Sequence, residues 1–243
     1  MSDKKIIGLS RLVTLRQQLD NVARNVANQT TPGFKAGQLR FQEYLTKAGE
    51  DDASSAPMRS LVAATQYIDF SPGAVKPTGN PLDVAIVNDA FFVVETPEGP
   101  RYTRVGAFAL DNEGRLVTLG GQPVLTSVGR LVLSQRDTKV SIGADGSVST
   151  AQGTIARLRL VRFEDRRELN SDGEGVFSSK APAVELPPGQ IRLATGVLEM
   201  SNVRPMEEMS KLVAATRAYE LVAQVILKED DQNELRKLAG QDD

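Results

Sequence analysis

The most constraining feature of this 243-residue sequence is the uneven distribution of glycine and proline. Fifteen of the 20 glycines and nine of the 12 prolines lie between positions 70 and 200, and both ends are nearly free of them. These two residues form turns and interrupt helices. The sequence therefore predicts two helical ends around a turn-rich middle, within one large domain or two smaller ones.

Both ends carry apolar residues at the spacing of a helix. From residue 9 to 27, and again from 206 to 238, apolar positions recur at alternating steps of three and four, which is typical of an amphipathic helix with a narrow seam. The first helix would be about 28 Å long, and neither has enough apolar surface to be stable alone in water. The seam positions are Leu12, Leu15, Leu19, Val22 and Val26 in the first helix and Leu212, Ala215, Tyr219, Val222 and Ile226 in the second.

The two ends carry opposite charges. Residues 1–45 have seven basic and three acidic side chains, whereas residues 206–243 have nine acidic and five basic ones. Complementary charge favours association of two amphipathic helices. We therefore predict that the terminal helices pair with each other or with the opposite helices of neighbouring subunits.

Three polar side chains near the seams are assigned structural roles. Asn25 and Asn28, close to the end of the first helix, are interpreted as helix caps or solvent-facing groups on which assembly depends indirectly. Tyr219 is interpreted as a seam residue with its hydroxyl at the edge, rather than as a catalytic group.

The first helix is expected to end at Thr31, Pro32, Gly33 and Phe34. Proline fixes its own φ and pushes Thr31 out of the α region. Gly33 can adopt the positive φ that the third position of a type II turn requires. These four residues are predicted to form the turn that leads out of the helix.

The middle of the chain indicates short antiparallel strands. Turn signals recur about every ten residues, as in sandwiches and barrels. The predicted fold class is therefore mixed α and β, with a central antiparallel β domain (sandwich or barrel-like) flanked by N- and C-terminal amphipathic helices that pair as a coiled coil on assembly. The apolar runs between the turns are residues 82–87, 90–94, 102–105, 108–110 and 116–118.

The sequence divides into four predicted parts. Residues 1–35 are the N-terminal helix and turn, and residues 36–80 are a linker whose polar stretch at residues 47–57 is expected to be flexible. Residues 81–196 form the central β domain, and residues 197–243 form the C-terminal helix.

Composition excludes several classes of function. The chain has no His, Cys or Trp, which excludes imidazole bases, thiolate nucleophiles, disulfides and His/Cys metal cages. A net charge of -2 is unsuited to binding nucleic acid. No apolar run approaches the length of a membrane span, and the start lacks the apolar region of a signal peptide. We predict no cofactor, no metal, no nucleic-acid partner and no membrane insertion.

Three carboxylates near an aromatic strand pair are the candidates for acid–base chemistry. Asp83, Asp89 and Glu95 match no acid–base or metal-loop spacing, and charged residues at strand edges are common. The chain is therefore not predicted to be an enzyme.

Segments at both ends and in the first half of the middle match one known family, in the family's order. They are residues 8–11, 15–20, 23–28 and 31–35 at the start, residues 81–86, 91–94, 102–104 and 120–125 in the middle, and residues 198–203, 208–209 and 217–220 at the end. On these segments the chain resembles the bacterial flagellar rod and hook proteins. Its length and its Gly-Leu-Ser-Arg opening are most similar to the proximal-rod members, with the distal-rod members as the alternative.

The resemblance implies a structural subunit of the basal-body rod, which serves as the axial drive shaft for motility. Such a protein is exported unfolded by the flagellar type III export apparatus, without a cleavable signal peptide, and polymerises with itself and other rod subunits in the periplasm. An absence of cysteine is compatible with that oxidising compartment. The assembly interface would consist of the ten seam residues together with Arg16, Asn25 and Asn28.

A second hypothesis comes from another class of protein. The chain would then be a monomeric secreted β module that binds a ligand such as a glycan, with its terminal helices as a clasp. Such a module needs a concave site lined by aromatic side chains. Phe91 and Phe92 are adjacent in a strand and point to opposite faces, so at most one of them could line it.

Overall fold

The structure is a computed structural model that describes residues 3–47, 58–134, 137 and 139–239. Its two helices are α1 (Asp3–Ala27) and α2 (Pro205–Ala239), which confirms both predicted terminal helices. Proline is tolerated at the first position of α2 because the N–H there has no partner within the helix. The predicted flexible stretch at residues 47–57 lies outside the described residues, apart from Lys47.

The remaining described elements are short strands and two 3-10 helices at Arg166–Glu168 and Pro188–Gln190. The first strands are β1 (Gly37–Lys47), β2 (Met58–Ile68), β3 (Val75–Pro77), β4 (Val84–Ile86), β5 (Phe91–Thr96), β6 (Gly99–Thr103), β7 (Phe108–Leu110), β8 (Leu116–Thr118), β9 (Leu125–Thr126) and β10 (Gly129–Arg130). The later ones are β11 (Ser141–Ile142), β12 (Ser147–Thr150), β13 (Gly153–Arg157), β14 (Leu160–Arg162), β15 (Leu169–Gly173), β16 (Val176–Ser179), β17 (Val184–Glu185), β18 (Leu193–Thr195) and β19 (Val197–Glu199).

The chain divides into two compact units. The helix unit contains α1, α2 and the two-stranded sheet β1–β2. The β unit contains the segment Asn28–Ala36, called the turn segment below, together with Ile68–Val203.

The structure places two eleven-residue strands, β1 and β2, in the segment that the sequence predicted to be a linker. The overlooked signal in β1 is a partial alternation of apolar and polar residues, with Leu39, Phe41 and Leu45 at odd positions and Glu43 interrupting the pattern. Such alternation is typical of a strand with one covered face. Neighbouring turn residues and the polar stretch obscured it in the sequence.

The β unit is built around a six-stranded sheet in the order β15-β16-β6-β5-β14-β17, in which all neighbouring strands run antiparallel. A three-stranded sheet joins β11, β12 and β13, and four further pairs are β4–β18, β3–β19, β7–β8 and β9–β10. The antiparallel β prediction is confirmed. None of the sheets formed by the described strands closes into a barrel.

Apolar clusters cover both faces of the six-stranded sheet. Phe92 lies in the larger cluster, where its ring is 5.0 Å from that of Phe108. Phe91 lies in the second cluster, edge-on to Phe70 at 5.4 Å. The predicted opposite orientation of Phe91 and Phe92 is therefore confirmed, because adjacent residues of a strand point to opposite faces. Both rings are fully buried.

Candidate assembly interface

The predicted seam residues lie on the covered faces of α1 and α2, which contact each other within the chain. Val22 and Ala215 are both 2 % exposed, and Arg16 is exposed. Gly8 lies at this contact, because a Cβ added there would come within 2.9 Å of Ile226 Cδ1. The half-buried seam positions are Leu12, Leu15, Leu19, Val26, Leu212, Tyr219, Val222 and Ile226. The structure thus brings the two seams together in one molecule, which is one of the two predicted pairings.

Asn25 joins three elements of the helix unit. Its side-chain Nδ2 donates to Gly37 O at 2.9 Å, and Gly37 N donates back to its Oδ1 at 2.9 Å. Nδ2 also donates to Glu208 Oε2 at 3.0 Å, and Asn21 Nδ2 donates to the same Gly37 carbonyl at 2.8 Å. Asn25 is 1 % exposed, so it is neither a cap at the helix end nor a solvent-facing group. It connects α1 to the start of β1 and to α2.

Residue 37 must be glycine because the junction has no space for a Cβ atom there. A Cβ added there would lie 2.5 Å from Asn21 Oδ1, closer than real Cβ contacts occur. The carboxylate of Glu208 is fixed from the other side, because Lys211 Nζ donates to its Oε1 at 2.6 Å. We call Asn21, Asn25, Gly37 and Glu208 the asparagine node.

Large apolar side chains also occupy the faces of α1 and α2 that the seams do not use. Met206 is 81 % exposed and Leu221 is 64 % exposed. At about 100° per residue, Met206 and Val213 lie on the side of α2 opposite Ala215. We call the exposed apolar side chains of the two helices the outer face: Leu9, Val13, Met206, Met209, Val213, Leu221, Val225 and Leu227.

The outer face was not identified from the sequence. Its signal is the presence of large apolar residues at helix positions outside the heptad pattern. A helix with apolar residues on two sides needs more than one partner to bury them.

The predicted turn forms at the start of the β unit. Gly33 has φ of +69°, as the positive-φ prediction required, and its N–H donates to Glu199 O at 2.7 Å. Thr31 N donates to Asn28 O at 3.2 Å, and Thr31 Oγ1 donates to Asn28 Oδ1 at 3.2 Å. Asn28 is therefore a turn residue just beyond α1. Pro32 and Phe34, the other predicted turn residues, are half-buried.

A buried ionic cluster follows the turn. Glu199 Oε1 accepts hydrogen bonds from Lys35 Nζ at 2.6 Å and from Gly73 N at 3.0 Å, and its Oε2 accepts one from Arg104 Nε at 3.1 Å. The side chains of Lys35, Arg104 and Glu199 are 0 %, 4 % and 3 % exposed. We call these three residues the Glu199 cluster.

Burial and charge act together on the groups of the Glu199 cluster. Burial opposes ionisation of Glu199, but the charges and hydrogen bonds of Arg104 and Lys35 outweigh it and lower the pKa of this carboxyl below its ordinary value. Burial lowers the pKa of Lys35, although its hydrogen bond to Glu199 acts in the opposite direction. An ion pair with so little exposure depends on having all of its charged partners present.

Asn202 adds a second link between the segment that contains the turn and the segment that contains Glu199. Ala36 N donates to its Oδ1 at 2.8 Å, and its Nδ2 donates to Asp69 O at 2.8 Å. Residues 31–36 and 199–202 are thus hydrogen-bonded to each other in the β unit. The sequence showed both segments as motifs but not their contact.

The carboxylates considered for catalysis are engaged in structural pairs. Asp83 accepts a hydrogen bond from Asn80 at 2.9 Å, Asp89 pairs with Arg166 at 2.9 Å, and Glu95 pairs with Arg130. Within the described residues, no group of three or more acidic side chains is placed to hold a metal ion. Neither described helix is long and apolar enough to cross a membrane.

A shallow cavity of about 320 Å³ opens in the β unit beside the β5–β6 turn. Arg101 lies at its wall and donates to Glu98 Oε2 at 2.7 Å and to Asp172 Oδ2 at 2.8 Å. Most of the residues that line it are polar, none of them is aromatic, and Phe91 and Phe92 are buried elsewhere. The cavity therefore lacks the aromatic wall that the ligand-binding hypothesis needs.

Comparison with known proteins gives two family matches, one within the β unit and one from its last residues into α2, and relatives that match nearly the whole chain. Residues 85–150 match the family described as "Flagellar hook protein FlgE/F/G D1 domain", and residues 194–233 match "Flagellar basal body rod FlgEFG protein C-terminal". The chain is 35 % identical over 240 residues to the flagellar basal-body rod protein FlgF of Caulobacter vibrioides, covering 98 % of this chain and 97 % of the relative.

Two further relatives show the same extent of similarity. The FlgF protein of Escherichia coli is 33 % identical, with 90 % of each chain covered. The flagellar basal-body rod protein FlgG of Bacillus subtilis is 32 % identical, with 92 % of this chain and 94 % of the relative covered.

Proposed function

The chain belongs to the FlgF family of flagellar basal-body rod proteins, and we propose that it polymerises through its helix unit as a subunit of the proximal rod. The family places it in the flagellar basal body as a structural subunit that assembles with other axial proteins. The helix unit is proposed as the part that makes the contacts between subunits.

The observation that carries the proposal is the distribution of buried apolar side chains. Among the side chains that the structure describes, Val22 and Ala215 are the only fully buried apolar ones in the helix unit, and all the others lie in the β unit. Yet α2 has 35 residues and is about 52 Å long. A long helix with little buried surface gains its stability from further packing partners.

We propose that the seams and the outer face have different roles in the assembled rod. The seam residues hold α1 and α2 together as a coiled coil, and the outer face contacts the helices of neighbouring copies. The basic first end and the acidic last end favour contact of α1 in one copy with α2 in the next. Such a head-to-tail contact uses two different surfaces and generates an open helical filament.

Export through the flagellar type III apparatus and a periplasmic location complete the proposal. Family membership supports both, and the absence of cysteine suits an oxidising compartment. The proposed role is mechanical and not enzymatic, which agrees with the paired state of Asp83, Asp89 and Glu95.

Two alternatives remain distinguishable by experiment. A distal-rod role is the close alternative, since FlgG proteins are also relatives. Basal bodies can be fractionated and probed with antibodies against the proximal and the distal rod. The fraction that contains this chain distinguishes the two roles. A monomeric ligand-binding module would keep its binding activity after both terminal helices were removed, whereas a rod subunit would lose assembly.

The test of the proposal is incorporation into the rod. Val213→Asp and Leu221→Asp place charges on the outer face, while Leu19→Asp and Arg16→Glu alter the α1 side of the helix pair. All four variants should abolish motility and be absent from purified basal bodies. The three aspartates place a charge without a partner at a packed helix contact. Arg16→Glu instead reverses a charge at the basic first end of the chain, which weakens its attraction to the acidic last end. The β unit should stay folded in each.

A matched control is Val87→Asp, which places the same charge on an exposed position of the β unit. This variant should be incorporated normally. Normal motility in the Val213→Asp and Leu221→Asp strains would contradict a role of the outer face in assembly.

A further inference from the structure

The Glu199 cluster holds an unbalanced set of buried charges. Lys35 and Arg104 are cations and Glu199 is the anion between them, at 2.6 and 3.1 Å. Asp69 acts on Lys35 electrostatically from a greater distance. Backbone carbonyls accept further hydrogen bonds from both cations, including Ser71 O from Lys35 and Ala90 O from Arg104. Loss of the Glu199 charge would leave two buried cations close together, which is the costly case for a buried ion pair.

None of the three side chains of the Glu199 cluster belongs to the apolar clusters of the β unit, and the contact between them is that of the Arg104 guanidinium, 5.8 Å from the centre of the Phe91 ring. The larger cluster is formed by residues between 82 and 193, and the second by residues between 68 and 183. A chain that ends before residue 199 therefore contains every side chain of both clusters. It lacks the anion for Lys35 and Arg104.

The turn segment Asn28–Ala36 is attached to the C-terminal residues at three points. Gly33 N donates to Glu199 O, Lys35 Nζ donates to Glu199 Oε1, and Ala36 N donates to Asn202 Oδ1. These contacts join residues about 165 positions apart in the sequence, as the separation of 164 between Lys35 and Glu199 shows. The attachment of this segment is thus tied to the last part of the β unit to be synthesised.

We propose that the Glu199 cluster controls attachment of the turn segment to the β unit. The turn segment attaches only when the chain extends through Glu199. Without the Glu199 carboxylate, the turn segment leaves the β unit while both apolar clusters stay folded. The physical cause is the positive charge of Lys35, which is stable in its buried position only beside Glu199. The turn segment follows α1 directly, so an incomplete chain has a mobile connection after its first helix.

Hydrogen exchange on the full-length chain tests this proposal. In Glu199→Gln, the amides of Gly33 and Ala36 should lose protection by about a hundredfold, because the turn segment opens locally. The amides of Val93 and Leu158, which are hydrogen-bonded in the sheet region, should change by less than about threefold. Glu185→Gln is the matched control, since Glu185 forms an exposed pair with Arg159.

Variants that change the balance of buried charges distinguish this mechanism from a general loss of contacts. Lys35→Met leaves Arg104 and Glu199 as a balanced pair, so protection of the turn segment should stay near that of the unaltered chain. In the double variant Lys35→Met/Glu199→Gln, protection of the Gly33 amide should exceed that in Glu199→Gln alone, because one cation remains instead of two.

Three results would overturn the proposal. The first is unchanged protection of the turn segment in Glu199→Gln. The second is loss of protection throughout the β unit in that variant, which would show that the apolar clusters also depend on Glu199. The third is lower protection in the double variant than in Glu199→Gln, because simple loss of contacts gives that order.

Discussion

The helix unit and the β unit differ in the polar groups that they bury and in how many apolar side chains they enclose. The helix unit buries the amides of Asn21 and Asn25 together with the carboxylate of Glu208, and it leaves large apolar side chains exposed. The β unit buries the charges of Lys35 and Glu199 and encloses most of its apolar side chains. The comparison indicates that the β unit has an apolar core within one chain, whereas the helix unit has only Val22 and Ala215 fully buried among the apolar side chains that the structure describes.

The largest expected loss of stability follows from a substitution in the core of the β unit. Phe91→Ala removes a fully buried ring that contacts Phe70, Phe163 and Phe177. The free energy of unfolding of the β unit should fall by about 3–5 kcal/mol, as for other large-to-small changes in a core. Urea unfolding followed by hydrogen exchange at the Val93 amide, which is hydrogen-bonded within the β unit, measures it.

The matched control for this change is Val87→Ala, at an exposed position that precedes the same strand. Its unfolding free energy should stay within about 0.5 kcal/mol of the original value. Equal losses in the two variants would contradict the assignment of the Phe91 cluster as the core.

The next-largest loss of stability is expected for a substitution in the asparagine node of the helix unit. Asn25→Ala leaves the buried N–H of Gly37 without its partner, so that Asn21 is the remaining amide donor to the Gly37 carbonyl, and it removes a donor from Glu208. We expect the helix unit to lose about 2–3 kcal/mol, because unsatisfied buried polar groups carry their full desolvation cost. Circular dichroism at 222 nm should show earlier loss of helix on heating.

Gln17→Ala serves as the control, since Gln17 is exposed on α1 and alanine is a good helix former. Its melting curve should not shift to lower temperature. Independence of the two units requires that Asn25→Ala leave the urea midpoint of the β unit unchanged.

Acid should reduce the difference in stability between the unaltered chain and the Glu199→Gln variant. Because the folded pKa of Glu199 is below its ordinary value of 4.5, its contribution to stability is present above that value and is lost as the pH falls through the lowered folded pKa. Unfolding midpoints measured from pH 7 downward should therefore converge below about pH 4. A difference that grew on acidification would contradict the charged state of Glu199 in the fold.

The smallest expected effect concerns the outer face in the unassembled chain. Val213→Ala should change the free energy of unfolding by less than about 0.5 kcal/mol, because this side chain is already exposed to solvent. A loss of more than about 2 kcal/mol would show that Val213 is buried within a single chain. The same substitution should reduce incorporation into the rod.

Local features of the sequence were sufficient to predict several parts of the molecule. The heptad spacing located both terminal helices and the seam residues Val22 and Ala215, because helix periodicity depends only on near neighbours. Pro32 and Gly33 located the turn for the same reason. The strands β1 and β2 were missed, because a short alternating pattern beside polar residues is a weak signal.

The asparagine node and the Glu199 cluster required the tertiary structure. Asn25 and Glu208 are 183 positions apart, and Lys35 and Glu199 are 164 apart. No local rule assigns partners over such distances. The Glu199 cluster has one signal in the sequence, which is a charged residue between two apolar ones: Glu199 lies between Leu198 and Met200.

The sequence by itself determined the helical ends, the turn-rich antiparallel middle and the absence of imidazole and thiol chemistry, because composition and short-range periodicity act along the chain. Only the tertiary structure decided which face of each helix is covered and which polar groups lie together. Burial and ion pairing depend on where distant segments meet, and their free energies arise from the removal of water at those contacts.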